Sequence, residues 1–368
     1  MVLPQELGPA LMLLDGSHSL IAVQAALLVR FGLTVDVGLL QHLVDVLDEN
    51  YMLENARAAE AEQRALNDYR RRPCRPPMMA GQSYPDDPHR LRRLFDDYLE
   101  QVNSSVVGPA SARGVVSPHI DYARGGHVYA AIWRQAAQAA QAADLVILLG
   151  TDHYGTGDRL TLTRQNYATP YGVLPTNQSI VDAVADAIGP DRAYAGELRN
   201  RGEHSLELVA TWLHHMREGR PVEMVPVLTG SFAEFFLGEA DPAADSILNA
   251  FLATLKQQIG GRQVLVVASG DLAHVGPAFG GRPLDARDKA KIRTADDDLL
   301  RQMAAGDASG FFSSIKQVRD RNNVCGVAPF YLMLRLLGEV EGSLAAYDQC
   351  PADSHDTSLV SVCGMLFG

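Results

Sequence analysis

From Val115 onward, short β-branched runs alternate with amphipathic helical stretches, and no other feature of the chain limits its fold so strongly. Strand, helix and strand repeated in this way make βαβ units, which pack as a largely parallel sheet with helices on its faces. The strands fall at Gly114-Val115-Val116-Ser117, Leu145-Val146-Ile147-Leu148-Leu149, Glu223 to Leu228 and Val264 to Ala268, with a last one around Leu359 to Leu366. Helices are expected near 126–142, 177–188, 205–217, 241–259, 285–305, 307–318 and 327–339. The fold class is therefore α/β, with a small helical unit ahead of it.

In that first unit, Asp15-Gly16-Ser17 supplies a turn and cap before the apolar stretch Leu20 to Phe31, and Gly32 ends the helix. A second helix follows Thr34-Val35-Asp36, where Leu40, Leu43, Val44 and Leu47 recur at helical spacing. Tyr51-Met52-Leu53 is a short apolar tail that pairs as a strand in this reading. Helix-forming composition from Asn55 to Tyr69 then meets Arg70-Arg71-Arg72-Pro73-Cys74-Arg75-Pro76-Pro77, whose prolines cannot continue a helix. The boundaries are an adaptor domain over 1–70, a solvated Arg/Pro-rich linker over 71–80 and the main domain over 81–368.

A length of 368 residues suits about two domains. With 32 Lys and Arg against 44 Asp and Glu, the formal charge of −12 disfavours nucleic acid and anionic membrane as partners. No apolar run approaches the roughly 18–20 residues of a spanning helix, and residues 1–6 offer no basic region before the short apolar stretch. A cytoplasmic location is expected. Cys74, Cys325, Cys350 and Cys363 lie far apart without a C-x-x-C pair, so they read as buried free thiols.

Three of the strands run into histidines: Ser117-Pro118-His119, Gly150-Thr151-Asp152-His153 and Ser269-Gly270-Asp271-Leu272-Ala273-His274. Strand carboxyl ends line the ligand crevice of an open α/β sheet, so these histidines should converge on one site. A fourth, His204, stands in Glu203-His204-Ser205-Leu206-Glu207 at a helix start. A lone histidine is more often structural than ligating, but three at equivalent strand ends point to a metal such as Zn, Fe, Cu or Ni. Two histidines with a carboxylate suit a divalent iron that keeps open positions. The chain has no G-x-G-x-x-G after a strand, no P-loop, no G-x-S-x-G and no H-E-x-x-H, which leaves nucleotide, serine-hydrolase and zincin chemistry without support.

Six ordered motifs carry a family resemblance. They are Gly81-Gln82-Ser83-Tyr84-Pro85-Asp86-Asp87-Pro88 with Leu91-Arg92-Arg93-Leu94, Pro118-His119-Ile120-Asp121-Tyr122, Leu149 to His153, Glu203 to Glu207, Pro226-Val227-Leu228-Thr229-Gly230 and Ser269 to His274. Together with Cys325-Gly326 and Asp356 to Ser361, this series resembles the MEMO family, whose bacterial members are called AmmeMemoRadiSam system protein B. The resemblance implies the fold of class III extradiol dioxygenases, LigB-type enzymes that hold non-haem Fe(II) with two histidines and a glutamate beside a catalytic histidine. It implies an iron or copper pocket with His119 and His153 as metal ligands and His204 and His274 as further pocket histidines.

The cysteine that often precedes the last histidine in that family is Ala273 here, and alanine cannot ligate. The third ligand is then Asp271, Glu203, His204, His274, water or nothing. The family's usual Pro-His-Ala-Gly-Tyr is Pro118-His119-Ile120-Asp121-Tyr122, which brings Asp121 near His119 as an orienting acceptor. Asp152 and Tyr122 are further supporting residues. Residues 1 to about 60 resemble a PqqD-like winged-helix domain through Leu14 to Ser19 and Leu47-Asp48-Glu49-Asn50-Tyr51-Met52-Leu53. That likeness implies a peptide or a radical-SAM enzyme as partner.

The expected function is a metal-dependent dioxygenase or redox enzyme acting on a small-molecule or peptide ligand in the crevice. His119 and His153, with Asp271 or Glu203, would hold the metal, with Fe(II) favoured over Cu, and His274 or His204 would carry a proton. The competing reading is a non-catalytic adaptor with a degenerate site that presents a peptide to a radical-SAM enzyme.

Overall fold

The computed structural model describes residues 7–102, 106–155 and 157–368. Residues 1–6, on which part of the location argument rests, lie outside them. The chain divides into two compact units, 1–68 and 69–368.

The described part of the first unit is helical. Ser19 caps Leu20–Phe31 by accepting from Ala22 N, and Gly32 closes that helix at φ 67°. Asp36 caps Val37–Glu49. Val23 and Leu27 of the first helix pack with Leu40, Leu43 and Leu47 of the second, as their spacing requires. The expected strand at Tyr51-Met52-Leu53 is absent. Tyr51 is left-handed at φ 57°, and Met52 N turns back to Leu47 O, so the segment is a helix end rather than an extended run.

The second unit is built on an eight-stranded sheet. Its strands, with those of a separate hairpin, are β1 (Gly114–Ser117), β2 (Leu145–Thr151), β3 (Leu160–Leu162), β4 (Tyr167–Thr169), β5 (Gly172–Leu174), β6 (Glu223–Thr229), β7 (Val264–Ser269), β8 (His274–Val275), β9 (Gly342–Pro351) and β10 (Leu359–Phe367). The central four, ordered β6-β2-β7-β1, are parallel. Antiparallel β3 closes one edge, and β10 pairs antiparallel with β1, β8 and β9 at the other. Strands β4 and β5 form the hairpin.

Successive residues of a central strand serve opposite cores. Leu145, Ile147 and Leu149 of β2 face one core with helices Gln178–Ile188, Ser246–Gln258 and Val327–Leu337. Val146 and Leu148 face the other, with helices Pro88–Gln101, Tyr122–Ala142 and Ser205–Met216. Strand β9 and helix Pro88–Gln101 were not expected from the sequence. The helix has an Asp87 cap and Pro88 in its first turn, while β9 is a half-covered strip whose residues are mostly small or polar. Among the described residues, no helix is long and apolar enough to cross a membrane.

The stretch read as solvated linker needs correction at Arg75, which is fully buried. Its guanidinium donates to the carbonyls of Asn200 (2.6 Å) and Glu203 (2.7 Å) and pairs with Glu207 at 2.6 Å. Glu207 also accepts from Met78 N, Met79 N and the Tyr84 hydroxyl. Residues 75–84 are therefore tied to the segment that carries His204.

Candidate metal centre

Strands β2, β7 and β1 are adjacent and parallel, so their carboxyl ends open on one edge of the sheet. His119 follows β1, His153 follows β2, and Asp271 follows β7. His204 joins them because its helix begins against the end of β2. A Cβ on Gly150 would stand 2.6 Å from the Leu206 side chain and 2.7 Å from the Ser205 hydroxyl, so a larger residue there would have to push both aside. The ring of His119 lies 4.9 Å from that of His153 and 5.4 Å from that of His204, and His153 stacks on His204 at 4.7 Å. One nitrogen of each ring lies within 4.8 Å of the other two.

Hydrogen bonding decides which nitrogen that is. The single hydroxyl proton of Ser269 goes to Ser205 O at 2.6 Å, so toward His119 Nδ1, 3.3 Å away, its oxygen accepts. His119 therefore carries its proton on Nδ1 and leaves Nε2 bare. Glu203, 1% exposed, accepts from His153 N at 2.9 Å, His153 Nδ1 at 3.0 Å and Ser205 N at 2.9 Å, with His204 Nδ1 at 3.3 Å. A carboxylate can only accept, so it holds the His153 proton on Nδ1, while His204 meets it as a charge pair. The Nε2 lone pairs of neutral His119 and His153 remain for an ion, with a nitrogen of His204 beside them. Metal-bound imidazoles are held in this way, with the second nitrogen donating to a fixed acceptor.

Electrostatics push the rings in different directions. Burial alone would raise the Glu203 carboxyl, but hydrogen bonding and charge from His153 and His204 hold it at about 2. Burial likewise opposes a charged His153, and Glu203 outweighs it to raise that ring's pKa. His119, 2% exposed, is pushed well below the usual histidine range by burial and then by the neighbouring His153, His204 and His274. His204 is also lowered, by burial first.

A second donor group shares His119. Asp271 Oδ1 accepts from His119 N at 2.9 Å, and its Oδ2 lies 3.8 Å from His119 Nε2. Burial raises this carboxyl to about 7. Cys325 Sγ stands 3.2 Å from His119 Nε2, and one donor atom from each of His119, Asp271 and Cys325 lies within 4.8 Å of the others. Sequence reasoning missed Cys325 at this position. It also missed Ser269 and Arg75 as supports of the site.

The remaining candidates stand outside the two donor groups. His274 donates from Nδ1 toward Leu272 O (3.1 Å) and Asn323 O (3.2 Å) and packs edge-on against Phe279. It belongs to neither donor group, and burial holds it at about 4. Asp121 does not orient His119: it caps the following helix and pairs with Arg124. Asp152 bonds Arg199 Nε at 2.8 Å and Tyr154 N at 3.2 Å. The hydroxyl of Tyr122 donates to Leu208 O within an aromatic cluster. His214 and His215 pack beside the β4-β5 hairpin, where they bond Thr169 and Tyr171.

Fold and site together define an α/β protein with histidines gathered at the carboxyl ends of parallel strands, arranged as a candidate metal centre. The family model described as Memo-like protein matches residues 75–366, and the chain belongs to that family. Relatives include a MEMO1 family protein of Aquifex aeolicus, 25% identical over 97% of this chain and 90% of its own length. One from Thermus thermophilus is 28% identical over 88% of this chain and 92% of its own, and one from Pyrococcus furiosus 26% over 73% and 90%.

Proposed function

We propose that this chain is a non-haem metal protein with oxygenase or redox activity, its divalent ion held by His119, His153 and His204. The observation that supports the reading is one nitrogen from each of three rings within 4.8 Å of the others, with Nδ1 of His119 and of His153 engaged by Ser269 and Glu203. Neutral imidazoles suit Fe, Cu, Ni and Zn, and Fe(II) is the first metal to load, with Cu the alternative. When bound, such a metal activates O2 or polarises a substrate oxygen.

The residues supply the rest. Glu203 fixes the His153 ring and faces His204, Ser269 fixes the His119 ring, and Arg75 holds the Glu203 backbone through its carbonyl. His274, neutral at pH 7 with Nε2 free of its backbone contacts, takes a proton from a phenolic or peptide substrate. Purified without chelator under low oxygen, the natural chain should carry about one metal and show metal-dependent oxygen uptake with a catechol. His274→Ala should keep the metal and lose rate.

The adaptor reading keeps one support, since Ile21, Leu28 and Val29 of the first unit expose apolar side chains that a peptide could cover. A metal-free natural chain with an intact fold and a captured radical-SAM partner would favour it.

A further inference from the structure

We propose that Arg70 and Arg72, from the arginine run ahead of Pro73, form with Arg164 a binding site for a compact, multiply charged oxyanion, phosphoryl or polycarboxylate in chemistry. A cavity of about 530 Å³ opens between the three arginines, with Gln165, Tyr194 and Glu197 among its walls. It shares no residue with either donor group of the candidate metal centre, and the inference does not depend on the metal reading.

The backbone that carries the arginines is held in place. Tyr69 is buried with its hydroxyl 3.3 Å from Thr163 Oγ1, and Gln165 Nε2 donates to Tyr69 O at 2.7 Å. On the other side, Asn166 Nδ2 donates to Pro73 O at 3.2 Å, and Arg75 N donates to Asn166 O at 2.7 Å. Arg70 and Arg72 therefore project from a stretch fixed at both ends, and a ligand need not order it on binding.

Two carboxylates set how much of each arginine is free. Buried Glu197 accepts from Arg70 Nε at 2.6 Å on one oxygen and from the Thr163 hydroxyl at 3.0 Å on the other. Asp182 accepts from Arg164 Nε at 2.5 Å and from the Tyr194 hydroxyl at 3.2 Å. The guanidinium carbons of Arg70 and Arg164 stand 6.0 and 5.2 Å from the centre of the Tyr194 ring, which gathers both at one wall. Arg72 has no ion-pair partner among the described residues, so the cavity keeps a surplus positive charge in a chain of net charge −12.

A guanidinium carries five N–H donors in a rigid fork, so Arg70 and Arg164 retain donors after serving their carboxylates. Phosphoryl and carboxylate oxygens accept two such bonds at a time. The ligand competes with Glu197 and Asp182 for these arginines, which favours several charged oxygens over one.

The test is isothermal titration of the metal-free full chain with pyrophosphate and, separately, with citrate, at constant ionic strength. The natural chain should bind at least one of them saturably at a single site, and the tighter probe assigns the ligand to phosphoryl or to polycarboxylate compounds. Arg72→Ala should bind that probe about tenfold more weakly, and the double variant Arg72→Ala/Arg164→Ala should show no saturable binding. Both side chains are exposed, so circular dichroism should find the fold unchanged. Absence of saturable binding of either probe by the natural chain overturns the proposal whether or not the variants fold. So does an unchanged affinity in the folded double variant.

Discussion

Glu203 meets two imidazoles at once, because its two oxygens accept from His153 while Oε1 also faces His204. Glu203→Gln keeps the shape but can present an amide donor and loses the negative charge that holds the His153 proton on Nδ1 and faces His204. Metal affinity should fall about 10–100-fold with little loss of fold. Isothermal titration of the two proteins with the same metal checks this, and unchanged affinity would remove Glu203 from the supporting role.

Away from the site, Asp296 is a second residue whose chemistry is set by its surroundings. It is fully buried, accepts from Tyr347 at 2.8 Å, and has one oxygen without a hydrogen-bond partner. Burial raises its carboxyl to about 6 from 3.8. The folded state therefore binds this proton more tightly than the unfolded state, and its contribution to stability is lost as pH rises from about 4 through about 6. Asp296→Asn should be more stable than the natural chain at pH 8, by at most about 3 kcal/mol, with the gain vanishing near pH 4. Urea unfolding at both pH values measures it, and an equal gain at both would contradict the account.

At the scale of elements, two short segments do what no helix or strand does alone. Residues 75–84 gather around Glu207 and place Arg75 under the Glu203 carbonyl. Arg75→Ala would leave a buried Glu207 carboxylate uncompensated and should cost about 3–5 kcal/mol, read as a large fall in Tm. A loss below 1 kcal/mol would return the segment to the role of a linker. The 325–326 loop is the other. Gly326→Ala should cost about 1–3 kcal/mol through its collision with Phe330 and Asp271, and a crystal structure should show Cys325 drawn away from His119.

These same elements mark the limit of what the chain discloses in its order of residues. The central strands were legible because their apolar runs are short and bounded, and the strand-end histidines followed from the parallel pairing. Strand β9 was not, since Gly342 to Pro351 is an edge strip with few large apolar residues. Cys325 was read as a buried free thiol because its neighbour His119 lies 206 positions away and no spacing motif joins them. Arg75 sat among arginines and prolines that look solvated, and only the buried carboxylate of Glu207 distinguishes it.

For the whole molecule, the sheet is what gathers the candidate donors. Three adjacent parallel strands deliver His119, His153 and Asp271 to one edge, the helix beginning at Ser205 adds His204, and the loop before Val327 adds Cys325. The first unit has its own small core and its own exposed apolar surface, built from residues that take no part in either donor group.

Metal content of the full chain, purified without chelator under low oxygen, tests the central claim most directly. Mass spectrometry should find about one iron or copper per natural chain, and almost none in His119→Ala or His153→Ala of intact fold. Equal metal in all three, or none in a well-folded natural chain loaded with Fe(II), would contradict the account.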